Sequence, residues 1–320
     1  MRETGMTAGT AAAIKPKAKI RLGDRVFSTS TVVAGSLILA VLAAVAIFLI
    51  IQSLPAIFAK PGTLPNDAAN FWTYVWPLVF GTVWAALIAL IIATPLSIGI
   101  ALFISHYAPR RVAQTLGYII DLLAAVPSVV FGLWGIATLA PFVQPFYVWL
   151  SENLGWIPLF APPVSGTGRT ILTAAIVLAV MVIPIMTAIC REVFLQTPRL
   201  HEEAALALGA TRWEMVRMAV LPFARSGIIS AIMLGLGRAL GETLAIAMVL
   251  SPALIVKFAV LQAQSPNTIA ANIALQFPEA TGVSVNALIA SGLVLFVVTL
   301  LINMLARYIV NRRKDFSGAN

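Results

Sequence analysis

The sequence predicts an all-α integral membrane protein with six transmembrane helices, and three observations lead there. Of its 320 residues, 60% are of hydrophobic type and 10% are charged, with a mean hydropathy of +0.96, a composition outside the range of soluble domains. Six apolar windows, roughly 31–52, 77–104, 118–140, 170–190, 228–251 and 284–306, reach the length of about 20 residues that crosses a hydrocarbon core. Lys and Arg, finally, cluster on one side of the alternating connections.

The chain opens on a basic tail, residues 1–27, rich in Ala, Thr and Lys near its start and expected to be mobile. The apolar stretch that follows is too long for a signal peptide and lacks a small-x-small cleavage site, so it reads as a retained first helix. In the next three windows Pro95, Pro127, Gly132 and Pro184 are compatible with membrane helices, because neighbouring helices and waters recover the freed backbone groups; kinks are expected there. The connections 53–76, 141–169 and 252–283 carry Pro, Gly, Asn and aromatic residues, and Trp72, Trp76, Trp149 and Trp156 suit the membrane–water interface.

Of the 21 Lys and Arg residues, six precede the first helix, two (Arg110, Arg111) lie in the second connection, five in the fourth and four at the C-terminal end. The opposite side holds only Lys60, Arg169 and Lys257, and Arg238 stands apart. By the positive-inside rule both termini, including a short tail 311–320, and the even-numbered connections are cytoplasmic. The net charge of +9 is thereby explained without nucleic acid. The single cysteine, Cys190, excludes an intramolecular disulfide or a cysteine metal cluster and reads as a small buried hydrophobe. His106 and His201 stand isolated, which argues against a metal site, and Ser128 and Ser165 have no triad partners, so no catalytic residue is expected.

Within the fourth connection, which begins at Arg191, the stretch EVFLQTPRLHEEAALALGATRWEMVRMAVLPFARSG at 192–227 predicts a pair of short cytoplasmic helices. Thr197 caps the first, with Pro198 at its first position, and Gly209 stops it. Thr211 and Glu214 form a capping box that starts the second, which Pro222 ends. The plainer alternative is an interfacial pair on the membrane surface; a DNA-binding helix-turn-helix would need a packed third element. Glu203, Ala204, Ala205, Gly209, Leu221 and Pro222 resemble the EAA loop of ABC importer permeases, with Ala219 where the family favours Ile. The resemblance implies the type I ABC importer permease fold over 28–310, a coupling helix at Glu203, Ala204, Ala205 and Gly209, and docking on a separate ATPase. No G-x-x-x-x-G-K-[ST] phosphate loop occurs in the sequence, so ATP and Mg²⁺ belong to that partner and this chain needs no cofactor of its own.

The fifth window contains GLGRALGET, residues 235–243. Charges inside a membrane helix face a pathway or a partner, and Arg238 and Glu242, four residues apart, are expected to share one helix face. An Arg–Glu pair serving only assembly is the structural alternative. The arginine fork suits an oxyanion, and Glu242 can accept the hydrogen bond of a proton-bearing oxyanion. Gly235, Gly237 and Gly241 would allow close helix approach. Asp121, near the start of the third window, is either a second pathway acid or an interfacial cap, the latter being favoured.

The run LPFARSGIISAIMLGLGRALGETLAIAMVLS, together with LAAVPSVVFGLWG at 123–135, resembles the phosphate-specific permeases of the PstC and PstA type, more closely the PstC side. That resemblance implies a phosphate pathway at Arg238 and Glu242 in a bacterial plasma membrane. It also implies a PstA-like second permease subunit, a PstB-like ATPase dimer and a PstS-like external binding protein. A sulfate or molybdate permease, and a membrane signalling or scaffold subunit, are the rival expectations. An intramembrane hydrolase lacks a second acid or metal ligands at useful spacing.

Overall fold

The computed structural model describes residues 22–314, so most of the expected N-terminal tail and residues 315–320 lie outside the described residues. Two compact units divide at Phe48 and Leu49. The first is the N-terminal part of α1 (Leu22–Ile57). All else belongs to the second unit, including the end of α1, where Asn286 Nδ2 donates to the Gln52 carbonyl at 2.7 Å.

Among the described residues six helices are long and apolar enough to cross a membrane. After α1 comes α2 (Phe71–Tyr107), started by Asn70, whose side chain accepts from the Thr73 N–H in a reciprocal capping box. Its last turn, Phe103–Tyr107, is a wide π turn. Ala85, Ala89 and Ala93 recur every fourth residue and are fully buried, because small side chains let membrane helices approach closely. They meet α5 (Ile171–Leu195), whose Ala174, Leu178 and Met181 form the centre of the core. Cys190, further along α5, is buried as expected, in a separate cluster with Ala101, Phe194 and Val216.

The third span differs from its expected window. Residues 118–124 belong instead to a separate helix, α3 (Arg110–Ala124), and the span itself is α4 (Ser128–Leu154). Pro127 is the reason: it lacks an N–H and disfavours helical geometry at Val126, so an unbroken apolar run still divides there. Asp121 consequently lies exposed on α3, six residues before that break, not at the start of the third span.

The expected cytoplasmic helix pair is also corrected. One short helix exists, α6 (Arg199–Ala207), with Pro198 as its N-cap. Thr197 is not the cap: its N–H is taken by the Phe194 carbonyl, so it closes α5. Gly209, at φ +88°, stops α6 as expected, since a side chain disfavours that left-handed geometry. The Thr211–Glu214 capping box is present. The helix it starts does not end at Pro222 but runs on as the fifth span, α7 (Arg212–Gly241). A π turn at Val216–Val220 has already interrupted the regular ladder where the proline would fail to donate.

A short helix, α8 (Leu244–Val249), follows α7. The residues after it form a two-residue parallel pairing of β1 (Pro252–Ala253) with β2 (Ser265–Pro266), then α9 (Ile269–Gln276), and the sixth span is α10 (Val283–Lys314). Segment 250–268 is fastened on two sides. Ser165 N–H donates to the Leu261 carbonyl at 2.9 Å, and Val260 N–H to that of Leu159 at 2.8 Å. The Ile269 N–H donates to Thr82 Oγ1 at 2.9 Å, and Asn272 Nδ2 to Tyr74 Oη at 2.8 Å.

Gly81 makes that attachment possible, because a Cβ there would overlap the Asn267 backbone carbonyl. Gly81→Ala is expected to destabilise the protein by at least about 2 kcal/mol through this overlap. The thermal midpoint in detergent should fall for it and hold for Gly99→Ala, whose Cβ would meet nothing within 4 Å.

Candidate substrate pathway and coupling surface

Arg238 and Glu242 do not lie on one continuous helix. The fifth span ends at Gly241, and Glu242 takes an extended conformation (φ −69°, ψ 129°). Thr243 precedes the new helix α8. The break changes what each side chain can do. Glu242 is 8% exposed, and its Oε1 accepts from the Ala245 N–H at 3.2 Å, satisfying one of the free donors that open α8. Arg238 makes no ion pair with it: among the described residues the only pair within 4.0 Å is His106–Glu202. The buried Nε of Arg238 has no hydrogen-bond partner.

Of the three glycines expected to allow close approach, one does so within this chain. Gly235 does allow close approach, since a Cβ would come within 2.7 Å of Val182 and 2.8 Å of the Met186 sulfur. Gly237 and Gly241 face open space in this chain. The close packing sits instead on α4, where a Cβ on Gly132 would come within 3.0 Å of both the Ala245 Cα and the Met248 sulfur. On Gly135 it would meet Val177 and Val249 at 2.7 and 2.9 Å. The LAAVPSVVFGLWG stretch thus supplies a smooth seat for α8.

Arg169 was expected only as one of three charges on the outer side. Its side chain instead reaches α8: Nε donates to the Val249 carbonyl at 3.3 Å, and Nη2 to those of Met248 at 3.1 Å and Leu250 at 2.9 Å. Its one sequence signal is an arginine placed directly before the Thr170 cap of α5.

At the other end of the bundle α6 divides its faces. Glu203 and Ala204 are exposed, flanked by Leu200 and Leu208 at 76% and 89% exposure. Ala205 packs inward with Phe194, Met215 and Val216. His106, expected to be isolated, lies with Nε2 3.4 Å from Glu202 Oε1 and Nδ1 2.7 Å from Ser105 Oγ, tying the C-terminal end of α2 to α6. The partners are 96 residues apart, too distant for local sequence signals to pair them. Among the described residues no group of three or more His, Cys, Asp or Glu could hold a metal.

A half-buried arginine whose Nε has no protein partner, four residues before a buried carboxylate at a helix break, suits transient contact with an anion, and an exposed short helix between two spans suits docking. The family model described as "Binding-protein-dependent transport system inner membrane component" matches residues 93–315. A Mycobacterium tuberculosis protein, "Phosphate transport system permease protein PstC 2", is 45% identical, the match covering 90% of this chain and 92% of that protein. PstC proteins of Mycobacterium leprae (44% identical, covering 84% and 87%) and Mesorhizobium japonicum (38%, covering 94% and 94%) are also similar.

Proposed function

This chain belongs to the family of binding-protein-dependent transport system inner membrane components, among its PstC-type phosphate permeases, and on that premise we infer that it is the multi-pass permease subunit of an ATP-driven phosphate importer. The observation that carries the pathway reading is the break at Glu242, which leaves the buried Arg238 Nε without a protein partner. A guanidinium already paired with a carboxylate would offer an anion little; this one keeps its charge-assisted hydrogen bonds for substrate.

Residues 28–310 are read as the permease domain and 192–227 as its coupling segment, with both termini cytoplasmic on the distribution of Lys and Arg. Arg238 binds phosphate weakly enough to release it, because a deep well would stall passage. Glu203, Ala204, Ala205 and Gly209 form the coupling surface, supported by the exposure of the first two and the inward packing of the third. There the α6 helix docks on an ATPase dimer that supplies ATP and Mg²⁺ chemistry, and its movement drives alternating access. A second, related permease subunit completes the pathway, and an external binding protein delivers phosphate to the outer loops.

Glu242 gives the site its selectivity. With Oε1 occupied by the Ala245 N–H, Oε2 remains to accept a hydrogen bond from a protonated phosphate oxygen, which sulfate at neutral pH cannot supply. In Glu242→Gln the repulsion of an unprotonated dianion is lost and an amide donor is added. The preference for phosphate over sulfate, measured as a ratio of initial uptake rates, is expected to fall at least about tenfold. An unchanged ratio would remove Glu242 from selectivity.

A further inference from the structure

We propose that Arg169 is a positioning residue of the pathway: from the outer side it fixes the short helix α8, and through α8 the carboxylate of Glu242. This rests on the reading of the α7–α8 break as the pathway. A helix of six residues has no stability of its own, so its orientation must come from what holds it. Glu242 Oε1 takes the Ala245 N–H at one end. At the other end Arg169 donates to three successive carbonyls, those of Met248, Val249 and Leu250. Each charge sits at the terminus of opposite partial charge, and each satisfies groups the helix leaves open. The glycine seat on α4 sets how closely α8 approaches but offers no polar group that would fix its register.

Arg169 can hold because its own backbone is held. Gly168 has φ +71°, and a Cβ there would overlap the Ala140 carbonyl. The Gly168 carbonyl accepts from Thr173 Oγ1 at 2.6 Å, and Thr170 caps α5 immediately after. The guanidinium is therefore a fixed fork on the end of a core helix. A shift of segment 155–170 would pass along α8 to Glu242 as one movement, which connects the outer surface to the selective carboxylate. Lysine, a point charge on a flexible stem, cannot reproduce three carbonyl contacts in one plane.

The test uses the full complex in membranes. Thiol labelling is read at Gly241→Cys, a position where a Cβ meets nothing within 4 Å, in a Cys190→Ala background. Phosphate uptake is read in chains without the reporter. Arg169→Gln is expected to change the maleimide labelling rate at position 241 at least about fivefold and to lower uptake about tenfold, with Arg169→Lys between it and the parent in both. Labelling within about twofold of the parent would reduce Arg169 to a local helix cap. So would altered labelling with parental uptake. If Arg169→Gln does not reach the membrane, Arg169→Lys carries the same comparison, and parental labelling there overturns the proposal. Labelling does not depend on the transported ion. Failure of the phosphate reading would therefore appear separately, as absent uptake by the parent with the Arg169 dependence of labelling intact.

Discussion

Arg238→Gln is expected to lower the initial rate of phosphate uptake at least about 100-fold while the subunit still inserts. Glutamine approximates the shape of the arginine stem but lacks the charge and the donor fork. Two hydrogen bonds from a charged group to an anion contribute about 3–6 kcal/mol together, and each 1.4 kcal/mol is tenfold in rate. Insertion should not suffer, because removing a charge from an apolar membrane segment lowers the cost of inserting it. Nor does the change strand Glu242, whose Oε1 keeps the Ala245 N–H. A structural role predicts the reverse pattern, loss of subunit from the membrane with normal uptake per remaining complex. Quantitative immunoblotting alongside uptake separates the two.

The second large effect is expected at the coupling surface. Ala204 is exposed on α6, beside Glu203 and opposite the inward-facing Ala205. Ala204→Trp should leave the chain folded while placing a large ring where the proposed docking brings an ATPase close. Overpacking of a close interface costs about 1–3 kcal/mol or more. ATPase recovered with the purified permease should therefore fall at least about tenfold, and ATP-driven uptake should be nearly lost. Unchanged ATPase recovery would move the docking surface elsewhere, the exposed Trp213 being the nearest alternative.

How far the sequence reveals these features depends on the range of the signals. Six runs of apolar residues are visible without a structure because the bilayer demands length, and the Thr211–Glu214 box and Gly209 are visible because their partners lie within a few residues. The α3–α4 division was legible only as the kink expected at Pro127, because a hydropathy window averages over about 20 residues and does not tell a bend from a complete break. The break at Glu242 was missed for a related reason: Gly241 and Thr243 weaken a helix only slightly, and packing of α8 on Gly132 and Gly135 decides the outcome. Arg169 could not be assigned from its neighbours, since the carbonyls it holds lie 79 to 81 residues away. Candidate pathway residues were legible by type, as charges where a membrane disfavours them, while their relation to each other was not.

The most direct measurement is ATP-driven uptake of labelled phosphate by the complex reconstituted in vesicles, with sulfate in large excess as competitor. The account predicts phosphate accumulation that requires ATP on the ATPase side and is undiminished by sulfate. Competition by sulfate on equal terms, or no accumulation by a complex that hydrolyses ATP, would contradict it.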